Sequence, residues 1–291
     1  MAIGIDPTVD FAFKMLLGNP KHPAVTIHFL NAVLAGSPRI AAVEILNPIL
    51  GQDGDDDKLA ILDIRARDDQ GRLLNIEMQA ATHAGLRQRL TYYVSSLYAG
   101  QMHSGDAYHA LRPAISICVL DALLFPSVPD LHLDFRLRNG RHDLVLTDDL
   151  QVHFIELPKY DLQQHVLAEA TLLEKWVYFF RNVSQLTAEE VVHRLQDSVF
   201  LEAAGVLEMI AQSPQERQMY EARLKFERDQ IWRLKAAKDE GLERGELTGR
   251  IRVFQSLLGL PEASASELEA LDIAQLTNLA AELRAQFQNR C

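Results

Sequence analysis

The chain has few features of a secreted or membrane-bound protein. Among its 291 residues only Cys118 and Cys291 are cysteines, which is too few for a disulfide framework. No segment approaches the roughly 20 consecutive apolar residues that a membrane-spanning helix requires. The N-terminal stretch carries Asp6 and Asp10 where a signal peptide would have basic and then apolar residues. These absences predict a cytoplasmic protein without a membrane segment.

The common sequence motifs of nucleotide-binding proteins, metal sites and serine hydrolases are also missing. The sequence has no P-loop, no dinucleotide-binding glycine pattern and no nucleophile elbow. Its ten histidines fall at no spacing typical of a metal site. The acidic run at 53–57 lacks the spaced ligands and the closing Glu of an EF-hand loop, so we interpret it as a solvated loop. Any catalytic site must use another arrangement.

A strongly basic composition is absent as well. The formal net charge is −11, and the sequence contains no Lys/Arg-rich tract. Proteins that bind duplex DNA usually carry a basic face, because phosphate neutralisation supplies most of their non-specific affinity. A nucleic-acid function of this chain must therefore be argued from a local site.

The composition changes near residue 160. Residues 1–160 contain 16 Asp and three Glu, whereas 161–291 contain five Asp and 16 Glu. Because Asp favours turns and caps while Glu favours helices, we predict a mixed domain over 1–160 and a mostly helical region over 161–291.

The first region predicts an α/β fold. It begins with two helical patterns, followed by strand and helix patterns in the order β-β-β-α-β and then by further strands. These further strands are predicted at 131–140, 141–146 and 152–158. This order indicates a mixed β-sheet with helices packed on it.

The second region contains signals for helices and for self-association. Two Ser/Thr-x-x-Glu capping boxes indicate helix starts, Thr187 with Glu190 and Ser264 with Glu267. Between them Gly241, Gly245 and Gly249 are spaced four residues apart in a charged segment. In an apolar helix this spacing would indicate membrane pairing. Here it favours a solvated or self-associating helix, and a homo-oligomer formed through this region is one hypothesis.

A β-hairpin with two carboxylates is the most informative segment. Residues 59–80, "LAILDIRARDDQGRLLNIEMQA", form two apolar strand patterns joined by a polar turn. The turn "DDQG" suits a three-residue loop with Gly71 in the left-handed conformation. Counting outward from this turn predicts three facing pairs: Arg67 with Leu73, Arg65 with Asn75, and Asp63 with Glu77.

The facing pair of Asp63 and Glu77 predicts a metal site. Two like charges directly opposite each other are unfavourable by about 0.2–1 kcal/mol. A hard divalent cation removes this repulsion, since carboxylate oxygens are the ligands that Mg²⁺ accepts. Alternation places Gln79 on the same face as Glu77. The alternative is an ordinary hairpin with one solvent-exposed face, which would show the same alternation without any chemistry.

Four segments together resemble a known nuclease family. They are the opening Asp10, Phe13 and Lys14 pattern, "LDIRARDDQGRLLNIEMQ" at 62–79, the stretch 89–121, and "FIELPK" at 154–159. As a set they resemble the Rpn family of recombination-promoting nucleases, also labelled putative transposases, within the PD-(D/E)XK nuclease superfamily. The resemblance covers most of the chain and is dense from about residue 6 to 160.

The resemblance implies a restriction-endonuclease-like core and a set of site residues. Asp63 and Glu77 would bind Mg²⁺ at the hairpin, beside Gln79, and Asp10 on the first helix matches the position of a further acid. The bound ion would polarise the scissile phosphate and lower the pKa of a water ligand. The implied function is a Mg²⁺-dependent DNA endonuclease that hydrolyses phosphodiester bonds, linked to DNA recombination or mobile elements.

One residue departs from the superfamily pattern. Gln79 stands where the superfamily normally has Lys, although Gln is usual at this place in the Rpn family. An amide supplies neither a positive charge nor a proton acceptor. Three residues are candidates for the missing cation: Lys14, Arg87 and Arg89. The alternative function is a catalytically weak or inactive DNA-binding or assembly protein on the same fold.

Overall fold

The structure is a computed structural model that describes residues 1–47, 64–142, 144–160 and 167–289. It divides into two compact units, Met1–Glu227 and Arg228–Cys291. Within the described ranges, every helix is too short or too polar to cross a membrane.

The described residues form two helices, then six strands interrupted by one helix, and then a series of helices. In the first unit these are α1 (Asp10–Leu17), α2 (Pro23–Val33), β1 (Val43–Ile45), β2 (Ile64–Asp68), β3 (Leu73–Gln79), α3 (Leu86–Ala99), β4 (Ala114–Leu120), β5 (His132–Arg138), β6 (Val145–Glu156), α4 (Leu172–Asn182), α5 (Ala188–Leu195) and α6 (Ser198–Gln212). Helix α7 (Pro214–Leu258) contains residues of both units, and the second unit continues with α8 (Ala265–Glu269) and α9 (Ile273–Gln288).

The six strands form one mixed sheet in the order β1-β2-β3-β4-β6-β5. The β1–β2, β2–β3 and β5–β6 pairs are antiparallel, whereas β3–β4 and β4–β6 are parallel. A parallel neighbour requires a crossover, which α3 supplies between β3 and β4. The predicted α/β fold with a mixed sheet is confirmed. The segments 141–146 and 152–158, predicted as separate strands, contribute to the single strand β6.

The turn of the β2–β3 hairpin has the predicted geometry. Gly71 has a positive φ of 81°, the left-handed conformation that glycine adopts without steric cost. The Asp68 carboxylate accepts hydrogen bonds from the Gln70 and Arg72 amides and pairs with the Arg72 guanidinium. Arg67 faces Leu73, as the sequence predicts.

Most of the core lies on one face of the sheet. Apolar residues of β2, β3, β4 and β6 pack there with α1, α2, α4 and α6. At its centre the Trp176 ring lies 4.9 Å from the Phe200 ring and 5.6 Å from the Phe29 ring, measured between centroids. On the opposite face Leu86 and Leu90 of α3 form a smaller cluster with residues of β4 and β6.

The composition change near residue 160 lies inside the first unit. Trp176 on α4 and Phe200 on α6 belong to the same core as the strands, because these helices cover the sheet. The compact unit therefore extends to Glu227, beyond the predicted boundary. The division into domains over 1–160 and 161–291 stays a prediction.

The second unit has a small core of its own. Leu247 and Ile251 of α7 pack with Leu268 of α8 and Leu276 of α9. The capping box predicted at Ser264 starts α8, as the one at Thr187 starts α5.

Candidate active site at the β2–β3 hairpin

Glu77 lies in the interior of the sheet. It is on β3, which has β2 on one side and β4 on the other, and its Cα pairs with that of Cys118. Its side chain is on the face that α3 covers and is only 1% exposed. Asn75, two residues earlier, is equally buried. The alternative of a hairpin with a solvent-exposed polar face is therefore wrong for these two positions.

Arg89 of α3 provides a positive charge beside this buried carboxylate. A buried ionised carboxylate is costly unless it is paired and hydrogen-bonded. The Arg89 Nη2 atom lies 3.4 Å from Glu77 Oε2 and 3.5 Å from Oε1. The Arg89 guanidinium also lies over the Tyr93 ring, 5.9 Å from its centroid. Because the Arg89 side chain is 28% exposed, the ion pair connects the buried acid to the surface.

The three candidate cations lie in different surroundings. Lys14 is on α1 and is buried, whereas Arg87 is exposed. Arg89 has a described ion pair with Glu77. The sequence predicts all three as candidates, but it does not show which of them lies beside Glu77, because that depends on how the helices pack on the sheet.

Gln79 lies at the end of β3, on the same face as Glu77. Its backbone carbonyl accepts a hydrogen bond of 2.9 Å from the Asp121 amide, which fixes the strand end. Its side chain is partly exposed. Gln79 can therefore offer an amide group at the edge of the Glu77 site.

Asp63, the predicted second metal ligand, lies outside the described residues. The β2–β3 register is described from Ile64, which faces Ile76, through Arg65, which faces Asn75. The predicted pairing of Asp63 with Glu77 stays a prediction.

Asp10 has described contacts with α7. Its carboxylate lies 3.4 Å from Arg223 Nε, and its backbone amide donates to Glu227 Oε1 at 3.0 Å. Burial raises the pKa of the Glu227 carboxyl, although the Asp10 amide and Arg223 act in the opposite direction. Asp10 is part of this ion-pair network, and its role as a further catalytic acid stays a prediction.

Three buried polar atoms surround the same site without a described hydrogen-bond partner. They are Asn75 Nδ2, Ser116 Oγ and Arg89 Nε. Asn75 and Ser116 are neighbours on β3 and β4, since their Cα atoms pair directly. An unsatisfied buried polar group costs about 1–3 kcal/mol, so such groups usually meet a water or a ligand. Sequence reasoning missed this pair, although Ser116 interrupts an otherwise apolar strand and Asn75 shares a face with Glu77.

The donor types at this site fit a hard divalent cation. The Glu77 carboxylate and the Gln79 amide oxygen are the oxygen ligands that Mg²⁺ prefers. Among residues 1–47, 64–142, 144–160 and 167–289, no group of three His, Cys, Asp or Glu side chains could hold a metal ion. A metal ion at Glu77 would therefore need a further ligand, and Asp63 is the one that the hairpin pattern predicts.

The chain matches a protein-family model over most of its length. Residues 7–237 of 291 match the model described as PD-(D/E)XK nuclease family transposase. The chain belongs to this family. The predicted family and the α/β fold class are thereby confirmed. The matched residues include the whole sheet, helices α1 to α6 and the first part of α7. No curated protein and no solved structure gives a significant match.

Proposed function

We propose that the protein is a metal-dependent DNA endonuclease that hydrolyses phosphodiester bonds at the Glu77 site. One observation carries this proposal: a carboxylate is buried in the middle of the sheet, next to a guanidinium, in a member of a nuclease family. A buried acid with a charged partner in a water-restricted site is a typical catalytic arrangement. A link to DNA recombination or mobile elements is proposed from the family description alone.

Asp63 and Glu77 would hold a Mg²⁺ ion in this site. When bound, the ion supplies Lewis-acid polarisation of the scissile phosphate and lowers the pKa of a water ligand. The Gln79 amide would orient a water or a phosphate oxygen, since it can donate and accept hydrogen bonds but cannot take up a proton.

Arg89 would take the place of the missing lysine. Its guanidinium neutralises Glu77 in the absence of a ligand and is exposed enough to reach a phosphate. Charge-assisted hydrogen bonds from Arg to phosphate are among the strongest in proteins. Arg89 would therefore stabilise the negative charge that develops on the phosphate in the transition state.

Plasmid nicking tests the proposal. Full-length protein with Mg²⁺ should relax supercoiled plasmid, and Glu77→Gln or Asp63→Asn should reduce the rate by about 100-fold or more, a loss typical of groups that stabilise transition-state charge. Glu221→Gln is the matched control, because Glu221 is an exposed carboxylate on α7 whose partner is Arg217. Nicking that is equal in all four proteins, or absent from the wild type, would reject the mechanism.

The second candidate function is DNA binding or assembly without catalysis. It is favoured by the Arg89–Glu77 ion pair, which occupies the carboxylate, and by Gln79 in place of Lys. Calorimetric titration of Mg²⁺ into the wild type and Glu77→Gln separates the two. An idle site should show no Glu77-dependent heat of binding, whereas the endonuclease proposal predicts a binding isotherm that Glu77→Gln abolishes.

A further inference from the structure

An open part of the sheet lies beside the Glu77 site. Helix α3 packs mainly on β3, β4 and β6, on the face that carries Glu77. On β2, at the side of the sheet away from β6, the polar side chains of that face are solvent-exposed. These exposed polar positions next to a buried acidic site can contact an extended ligand.

Two arginines of β2 lie on this open face. The Cα of Arg65 pairs with that of Asn75, so Arg65 shares a face with Asn75 and Glu77. Arg67, two residues after Arg65, is on the same face, further from Glu77 and nearer the hairpin turn. Residues two apart along a strand are separated by about 6–7 Å, so the two guanidinium groups form a short row.

A third arginine lies beside the hairpin turn. The Arg112 side chain runs beside Gly71, and a Cβ placed on that glycine would lie 3.5 Å from Arg112 Cγ. Two hydrogen bonds between Gln101 and the Arg112 backbone, of 2.8 and 3.0 Å, fix this position. We call Arg65, Arg67 and Arg112 the arginine ledge.

Among the described residues, the arginine ledge has little compensating negative charge. Arg65 and Arg112 are exposed and form no ion pair with a described residue. The Arg67 Nη1 atom lies 3.5 Å from Glu44 Oε2 on β1, and both side chains are at least half exposed. An ion pair this exposed contributes little binding energy. Arg72 in the same hairpin is different, since it is buried against Asp68. In a chain with a net charge of −11, such a group of cations indicates an anionic ligand.

We infer that the arginine ledge binds the phosphates of the DNA strand that enters the Glu77 site. The inference rests on the proposed function and adds a place for the substrate backbone. The planar guanidinium group of arginine matches the geometry of a phosphate, and several neighbouring guanidinium groups suit a polymer of phosphates better than a single anion. Contacts of this kind position the strand and carry no sequence information. They also explain how an acidic protein can hold DNA through a local surface.

Salt-dependent DNA binding tests the inference. Anisotropy of a labelled duplex is measured at increasing KCl in EDTA, so that no metal-dependent cleavage occurs. Arg65→Gln and Arg67→Gln should each weaken binding several-fold and reduce the slope of log K against log salt by about 1, because each removes a phosphate contact. Arg65→Lys should restore the slope. Glu44→Gln should strengthen binding, because it releases Arg67 from its carboxylate partner.

Arg217→Gln is the matched control for a lost surface charge, because Arg217 is exposed on α7 and its partner is Glu221. It should leave the slope unchanged. The inference is overturned if Arg65→Gln and Arg67→Gln keep the wild-type slope, or if the wild type does not bind the duplex or its single strand. Glu77-dependent nicking with an unchanged slope would reject the ledge and leave the proposed function standing. A reduced slope without nicking would support the arginine ledge and reject the proposed function.

Discussion

The Glu77 carboxylate and the Arg89 guanidinium depend on each other. Arg89→Met would leave a nearly fully buried acid without this partner. We expect the free energy of unfolding to fall by about 2 kcal/mol, less than the ~3–5 kcal/mol of fully buried pairs, because Arg89 is partly exposed. Mg²⁺ should recover part of this loss, since a cation that binds the folded state stabilises it.

Urea unfolding of Arg89→Met with and without Mg²⁺ measures both effects. Arg89→Lys serves as the control, because it keeps the charge but loses the planar fork. A stability of Arg89→Met equal to that of the wild type would show that Glu77 does not need this guanidinium.

His153 makes stability depend on pH. It is buried on β6, its Nδ1 atom lies 2.9 Å from His132 Nε2, and its Nε2 atom lies 3.1 Å from Gln151 Oε1. Burial and the neighbouring His132 lower the pKa of His153 from 6.5 to about 3. The unfolded chain therefore binds a proton at His153 more tightly than the folded chain does. The folded state keeps its full stability above pH 6.5 and loses stability as the pH falls toward 3.

Chemical unfolding between pH 7 and pH 4 tests this dependence. The free energy of unfolding should fall by up to about 1.4 kcal/mol per pH unit below the pKa of free histidine. His153→Gln should flatten the profile, although the lowered pKa of His132 would leave a residual slope. His109→Gln, at an exposed position, should not change it. A wild-type profile in His153→Gln would contradict the prediction.

The β2–β3 hairpin depends on one glycine at its turn. Gly71 has a φ of 81°, where a Cβ costs roughly 1–2 kcal/mol. Gly71→Ala should therefore lower the free energy of unfolding by this amount in urea titrations. Gly71→Asn should cost less, because asparagine visits the left-handed region more readily. Equal losses for both variants would indicate that contact with Arg112, and not the backbone, sets the cost.

Short sequence patterns correctly predicted the structural features that depend only on neighbouring residues. The turn at Gly71 and the facing of Arg65 with Asn75 follow from loop length and side-chain alternation, and both are confirmed. Fully buried β4 follows from its apolar run. The burial of Asn75 and Glu77 could not be predicted, because it results from the packing of α3 over β3, a tertiary contact that side-chain alternation does not specify.

The same limit applies to the candidate site. Glu77 was identified from the hairpin and from the family resemblance, whereas its pairing with Arg89 needed the position of α3. Ser116 was not considered, because only the parallel pairing of β3 with β4 brings it next to Asn75. Alternation within one strand carries no information about which strand lies beside it.

Self-association of the whole molecule stays a prediction that α7 makes testable. Three apolar side chains of α7, Ile231, Trp232 and Leu234, are exposed within the second unit. If a second copy covers them, Ile231→Glu combined with Leu234→Glu should reduce the sedimenting mass of the full chain. Arg228→Glu is a control for added negative charge. A wild type that sediments as a monomer at all concentrations would contradict the prediction.

The two compact units contain one tryptophan each, Trp176 in the first and Trp232 in the second. Trp176 is completely buried among aromatic rings, whereas Trp232 is 68% exposed. Emission from Trp176 should therefore be blue-shifted and protected from acrylamide, and emission from Trp232 should be red-shifted and readily quenched. Wavelength-resolved fluorescence can thus follow the melting of each unit separately, without any attached label.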